Sequence, residues 1–224
     1  MTFTKDHPVY LAIREQLLLG HWKPGETLRP TEIAEALRVS VSPVREALIR
    51  LSERGLASNI DKLGFVAAQF DPTTSVHYCA LMAQLYRDSL ATVSRNGVMP
   101  VVARQFREEL AAIDPGQPAA KQCLHYAAAC RRVLLARPYR AIVDRLGDVT
   151  FAHAAATVGT DTYYRRLAGE FHDFGRRLHH GDRRSIRAAV ERYFTRRAAE
   201  IMQAEARLSA LPASTGPAPD PKDR

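Results

Sequence analysis

The apolar positions of the first 70 residues change their period several times over short distances. In "VSVSPVREALIRLSERG", Val44, Ala47, Leu48 and Leu51 recur at i, i+3, i+4 and i+7, which lines one face of a helix. Ser42 is read as its N-cap and Pro43 as its first helical residue, where a missing N–H leaves nothing unpaired. Gly55 suits the left-handed residue that stops it. Upstream, "HPVYLAIREQLLLG" carries Val9, Ile13 and Leu17 on one side and predicts a helix ending at Gly20. "RPTEIAEAL" predicts another, opened by Pro30, with Ile33, Ala34 and Leu37 inward. "KPGETL" reads as a turn and a brief extended piece, and "RVS" as a three-residue turn. After Gly55, "LASNI" and "GFVAA" read as strands joined by "DKLG", a hairpin with Gly64 at its turn.

From Asp71 the pattern is helical throughout. Helices are predicted at 73–96, 100–113, 118–136, 138–158, 161–180 and 183–207, broken at Asn96-Gly97, "DPGQP", Arg137-Pro138, Gly159 and Gly181. In the last of them Ile186, Ala189, Val190, Tyr193, Phe194 and Ala198 form an apolar stripe. The end, "LPASTGPAPDPKDR", has the Pro, Ala and charge content of a disordered tail. The expected fold is mainly α: a mixed N-terminal domain over 1–70, an all-α six-helix bundle over 71–208, and a tail over 209–224.

Two helices around a tight turn, followed by a hairpin, make a winged helix-turn-helix. Its second helix enters a major groove of double-stranded DNA N-terminus first, so residues of the first turn reach base edges. Arg45 is the one residue there able to contact guanine bidentately, and Lys62 at the hairpin tip reaches the backbone or the minor groove. The formal net charge of +8 also favours a polyanionic partner. Its distribution changes that picture, because residues 1–70 hold nine Lys/Arg against eight Asp/Glu, and residues 71–208 hold 21 against 14. The excess charge therefore lies outside the expected DNA reader. Arg183, Arg184, Arg187, Arg196 and Arg197 are read as a solvated helix face or a dimer rim.

The stretch "LLLGHWKPGETLRPTEIAEALRVSVSPVREALIRLSERGLASNIDKLGFVA" resembles the winged helix-turn-helix of GntR-family transcription regulators. The shared pieces are "G…KPGETL", "EIAEAL", "VS", "PVREAL", "L…GL" and "GFV" at their usual spacing. The resemblance implies a homodimer, commonly a repressor, on a palindromic operator, with Ser42, Arg45 and Gly64 at the matching DNA-contact positions. Val41 and Thr31 stand where the family usually carries arginine or another charged residue. Arg38 stands where its turn usually has glycine, and is expected to be forced towards positive φ. Val41 can offer a base edge little beyond contact with a thymine methyl, so the operator is expected to differ from the family consensus there.

The six helices resemble the FCD-type effector domain of the FadR subfamily, through "ARPYR" at the usual Asn-Pro break and "L..GD" near 178–182. That resemblance implies a metal held by an aspartate, a histidine four residues later and two further histidines. The aligned positions are Leu124, Ala128, Phe171 and Tyr193, none of them a strong ligand, so no metal and no cofactor are expected. His125 and His172 each lie one residue from such a position, and they and His153 are the residues for a displaced site. Two readings of the domain stay open: a metal-free pocket for a small organic effector, lined by Leu124, Ala128, Phe171 and Tyr193 with an arginine such as Arg131, or a packed domain that only dimerises.

Other function classes fare worse. A helical enzyme would need a nucleophile with a base, a carboxylate pair or a metal. Apart from the scattered histidines, GxSxG, HExxH and a phosphate-binding glycine loop are all lacking. A non-specific DNA-coating protein would rely on charge, which the near-neutral first 70 residues lack. Cys79, Cys123 and Cys130 have no CxxC-type pairing and read as reduced thiols in a core. With no export signal or membrane span visible, the expected location is the cytoplasm.

Overall fold

Three short helices and a hairpin come first: α1 (Pro8–Leu18), α2 (Pro30–Leu37), α3 (Val41–Glu53), β1 (Ala57–Ile60) and β2 (Gly64–Ala67). Six longer helices follow: α4 (Pro72–Arg95), α5 (Met99–Ala111), α6 (Ala119–Leu134), α7 (Arg137–Val158), α8 (Asp161–His180) and α9 (Arg183–Ala210). The computed structural model describes residues 7–210. α9 runs to Ala210, so Ser209 and Ala210, assigned above to a tail, are helical; the rest of that tail lies outside the described residues.

In the N-terminal part, Ile13, Leu18, Leu28, Val44, Ala47, Leu48 and Leu51 are fully buried, which is the stripe the α3 periodicity specifies, closed over by α1. The "GETL" segment is extended as its sequence suggests. Thr27 bridges Val66, and Leu28 and Gly25 donate their amides to the Phe65 and Ala67 carbonyls at 2.7 and 2.9 Å. The wing therefore has β2 between β1 and residues 25–28.

The start of α3 corrects the sequence expectation. Its N-cap is Ser40, extended at φ −72° and ψ 161°, and Ser42 lies within the first turn. Pro43 remains in that turn, where amides have no intrahelical partner, so proline tolerates the earlier start. Ser40 makes no side-chain cap bond.

The turn before it is strained as expected. Arg38 is left-handed at φ 56° and ψ 45°, and its amide bonds to the Ala34 and Glu35 carbonyls. A residue with a Cβ pays about 1–2 kcal/mol there and glycine does not, although glycine loses more entropy on folding. Arg38→Gly is therefore expected to raise stability by about 0.5–1 kcal/mol in urea unfolding. A lower midpoint would show that the arginine side chain supports the turn.

The bundle is framed by α9, which packs along α4 and against α7 and α8, while α8 packs on α5 and α6. Phe106, Cys123, Leu134, Leu178, Ile186 and Ile201 are its fully buried interior. α4 is capped by Asp71, which accepts the Thr74 amide at 2.6 Å, and α8 by Thr160, which accepts that of Tyr163. The three cysteines are free and buried. Burial pushes the Cys79 thiol up to about 11 and those of Cys123 and Cys130 up to about 12, so all three are protonated packing groups at neutral pH.

α7 joins the two halves. Asp148, 2% exposed in its middle, accepts from Arg14 of α1 through Nε at 2.8 Å and through a second, shorter bond. It also accepts from Arg54, at the end of α3, at 3.1 Å. Gly20 and Gly55 bring the reader's backbone close to α7, and a Cβ added at either would touch Ala155 or Val149 at 3.8 and 3.6 Å.

Candidate functional site

The residues read as DNA contacts fall on solvent-facing parts of α2, α3 and the wing. Thr31 is exposed in the first turn of α2, Ser42 and Arg45 are exposed on α3, and Val41 is half-buried at the start of α3. Because α3 begins at Val41, both Val41 and Ser42 belong to the turn that leads such a helix into a groove. Ile49, 44% exposed, extends the stripe of Ser42 and Arg45 by one turn and adds an apolar residue to it. Lys62 and Gly64 are exposed at the hairpin tip, both with positive φ, 64° and 81°.

The charges on this face divide into two kinds. Arg29 is paired with Glu32 at 2.7 Å, and Arg50 with Glu46 at 3.0 Å. Arg38, Arg45 and Lys62 have no ion pair or side-chain hydrogen bond among the described residues. An unpaired arginine in the first exposed turn has its whole donor fork available to an acceptor from outside.

A second site lies within the bundle. A cavity of about 400 Å³, within the range of small-molecule sites, is lined from α4, α6, α7, α8 and α9. It brings together three of the predicted residues: Arg131, Phe171 and Tyr193. The Phe171 and Tyr193 rings lie 5.6 Å apart, so they form part of the wall and leave the cavity open. Leu124 and Ala128 lie away from it, half-buried on another side of α6, whose cavity face carries Ala127, Cys130, Arg131 and Leu134. One residue on a helix is about 100° of rotation, which separates Ala127 from Ala128.

The donor set does not fit a metal. The four aligned positions carry no strong ligand, and among the described residues no three His, Cys, Asp or Glu side chains converge. His172 faces the Tyr126 hydroxyl at 2.9 Å, and His125 is half-buried elsewhere on α6. His153 is held between Ser75 Oγ at 2.7 Å and Glu205 Oε1 at 2.8 Å, stacked on Phe70.

Arg197 is the residue that sequence reasoning misplaced. Assigned to a solvated face with its neighbours, it is 5% exposed and lines the cavity. Its position eleven residues after Ile186, seven after Val190 and three after Phe194 puts it on the apolar stripe of α9, a signal the sequence carried. Asp148 left no such sign.

Comparison with known proteins separates the two halves. Residues 6–66 match the family described as bacterial regulatory proteins, gntR family. The chain is 30% identical over 111 residues, 48% of its length, to an uncharacterised HTH-type transcriptional regulator in an unstable DNA locus of Streptomyces ambofaciens, of which that covers 45%. Over 65 residues, 27% of the chain and 29% of the relative, it is 40% identical to the HTH-type transcriptional regulator YdhC of Bacillus subtilis. The chain thus spans less than half the length of the curated relatives it matches. The solved structure of E. coli McbR/YncC aligns over 87% of this chain and 95% of its own, with a TM-score of 0.57 at 19% identity, a likeness of fold.

Proposed function

We propose, from the premise that residues 6–66 are a gntR-family helix-turn-helix domain, that the whole chain is a sequence-specific transcription regulator. In this reading it binds a palindromic double-stranded operator as a homodimer, and its helical half is an FCD-like effector domain of the FadR-subfamily kind. The observation that carries the reading is Arg45, exposed and unpaired among the described residues in the leading turn of α3. A general DNA coat would need a strongly basic contact face. The first 70 residues are nearly neutral, and two arginines of this face are already neutralised by glutamates. Recognition therefore rests on base contacts more than on charge.

The cavity supports the ligand-responsive part of the reading. α7 lines it with Gly147, Thr150 and Phe151, and between them Asp148 holds the reader through Arg14 and Arg54. A ligand that favours one placement of α7 changes DNA affinity by its preference for that state, typically 1–3 kcal/mol. Repression is the expected outcome of binding.

Selection of bound sites from random DNA by the full-length chain tests the function. The expected result is a palindrome with guanine at the Arg45 position of each half-site and no preference for the family's usual base where Val41 stands. Recovery of unrelated sequences, with affinity that collapses steeply in salt, would overturn it in favour of non-specific coating.

A further inference from the structure

Arg197 is a buried guanidinium whose acceptors among the described residues are all neutral. It donates to the Tyr163 hydroxyl and to the Thr150 carbonyl, the latter at 3.4 Å, and lies 5.6 Å from the ring centres of Phe151 and Tyr163. Most other arginines of the cavity wall have a carboxylate. Arg131 reaches Asp144 at 2.6 Å, Arg177 reaches Asp173 at 2.6 Å, Arg166 reaches Glu200 at 2.6 Å, and Arg196 pairs with Glu170. Arg192, also in the wall and exposed, has no ion pair among the described residues. The deepest cation is therefore the one left without a counter-charge, and a guanidinium stays charged at neutral pH even where burial lowers its proton affinity. A buried charge without a partner is costly to fold, which makes it a receptor for an anion that arrives later.

We propose that the cavity binds a monoanionic organic acid, an apolar or aromatic body bearing one carboxylate, with the carboxylate on Arg197. This rests on the reading of the helical half as an effector domain, and names the class of effector. One unpaired guanidinium inside the cavity matches one negative charge, whereas a phosphate dianion would leave a charge against apolar wall. The planar fork of arginine suits the two oxygens of a carboxylate, and Tyr163 and Thr150 take only one donor each of its five. Met82, Leu134, Val143, Phe171 and Phe194 supply the apolar wall for the body. No metal is required, because the guanidinium supplies the charge that a cation would. Occupancy also reaches the DNA reader by a short route, since the carbonyl that Arg197 holds belongs to Thr150, two residues from Asp148.

The test is calorimetry and thermal melting of the full-length chain with benzoate, phenylacetate and hexanoate, each beside its uncharged primary amide. At least one carboxylate is expected to bind and raise the melting temperature where its amide does not. Arg197→Met is expected to weaken that binding by about 10- to 100-fold, the worth of a charge-assisted contact, without lowering the melting temperature of the free protein. Arg197→Lys, which keeps the charge and loses the fork, is the second variant should the first fail to fold. It is expected to bind the carboxylate more weakly than wild type and the amide unchanged. No carboxylate surpassing its amide, or equal carboxylate binding by the variant that folds, would overturn the proposal. Sequence-specific DNA binding by the same preparation is scored separately. Its presence beside a failed carboxylate series removes only the effector class, and its absence removes the regulator reading whatever the cavity binds.

Discussion

Arg45→Ala is expected to lower affinity for the selected operator by about 10- to 100-fold per half-site, while leaving the fold intact. The first half follows from the 1–3 kcal/mol that a bidentate arginine–guanine contact contributes to discrimination. The second follows from the structure, since the side chain is exposed and touches no partner among the described residues, and alanine is a good helix former. Fluorescence anisotropy at two salt concentrations separates base reading from charge. Loss of a base contact lowers affinity for the operator more than for scrambled DNA. Lys62→Ala, a backbone contact on this reading, lowers both alike and reduces the salt slope by about one unit. Equal loss on both DNAs from Arg45→Ala would show that Arg45 meets phosphate and that recognition resides elsewhere on the face.

Asp148→Asn is expected to be the most damaging single change to stability, at about 3 kcal/mol, or roughly 6–12 °C in melting temperature for a chain of this size. Asparagine preserves shape, so the change isolates charge. The carboxylate is 2% exposed and answers two guanidiniums, and removing it leaves both facing a neutral amide in a packed junction. Arg14 and Arg54 keep 22% and 25% of their side-chain surface in water, which places the loss at the lower end of that for a broken buried ion pair. Calorimetry checks it. A single transition moved downward shows that the junction contributes to the cooperativity of the whole chain, two resolved transitions show that it was the main tie between the halves, and an unmoved transition would refute the assignment. The same variant should weaken the effect of any cavity ligand on DNA binding, because Asp148 is the point at which α7 holds the reader.

What the sequence revealed, and what it hid, follows from the range of the contacts involved. The α3 stripe was legible because Val44, Ala47, Leu48 and Leu51 face one core at helical spacing. The left-handed Arg38 was legible because a two-helix turn of that length needs positive φ whatever residue fills it. The cap was placed two residues late, since Ser40 and Ser42 both precede Pro43 and both satisfy the local rule. Rotation of α6 was harder: matching the break at Arg137-Pro138 fixes helix order but not which side faces inward, so Leu124 and Ala128 were put where Ala127 and Arg131 stand. Asp148 lay beyond local reading, its partners being 134 and 94 residues away in sequence.

The wing has a consequence for solubility at high protein concentration. β2 is bonded on both sides, to β1 and to residues 25–28, so β1 alone leaves an edge unpaired. An exposed edge strand is a template on which another chain can polymerise. Here it is four residues long, with polar Ser58 and Asn59 at its centre, and only alternate residues of the four direct their amides and carbonyls outward. An edge that short gives an incoming strand too little to pair with, so the protein can hold its wing out for a groove without offering it as a seed for aggregation.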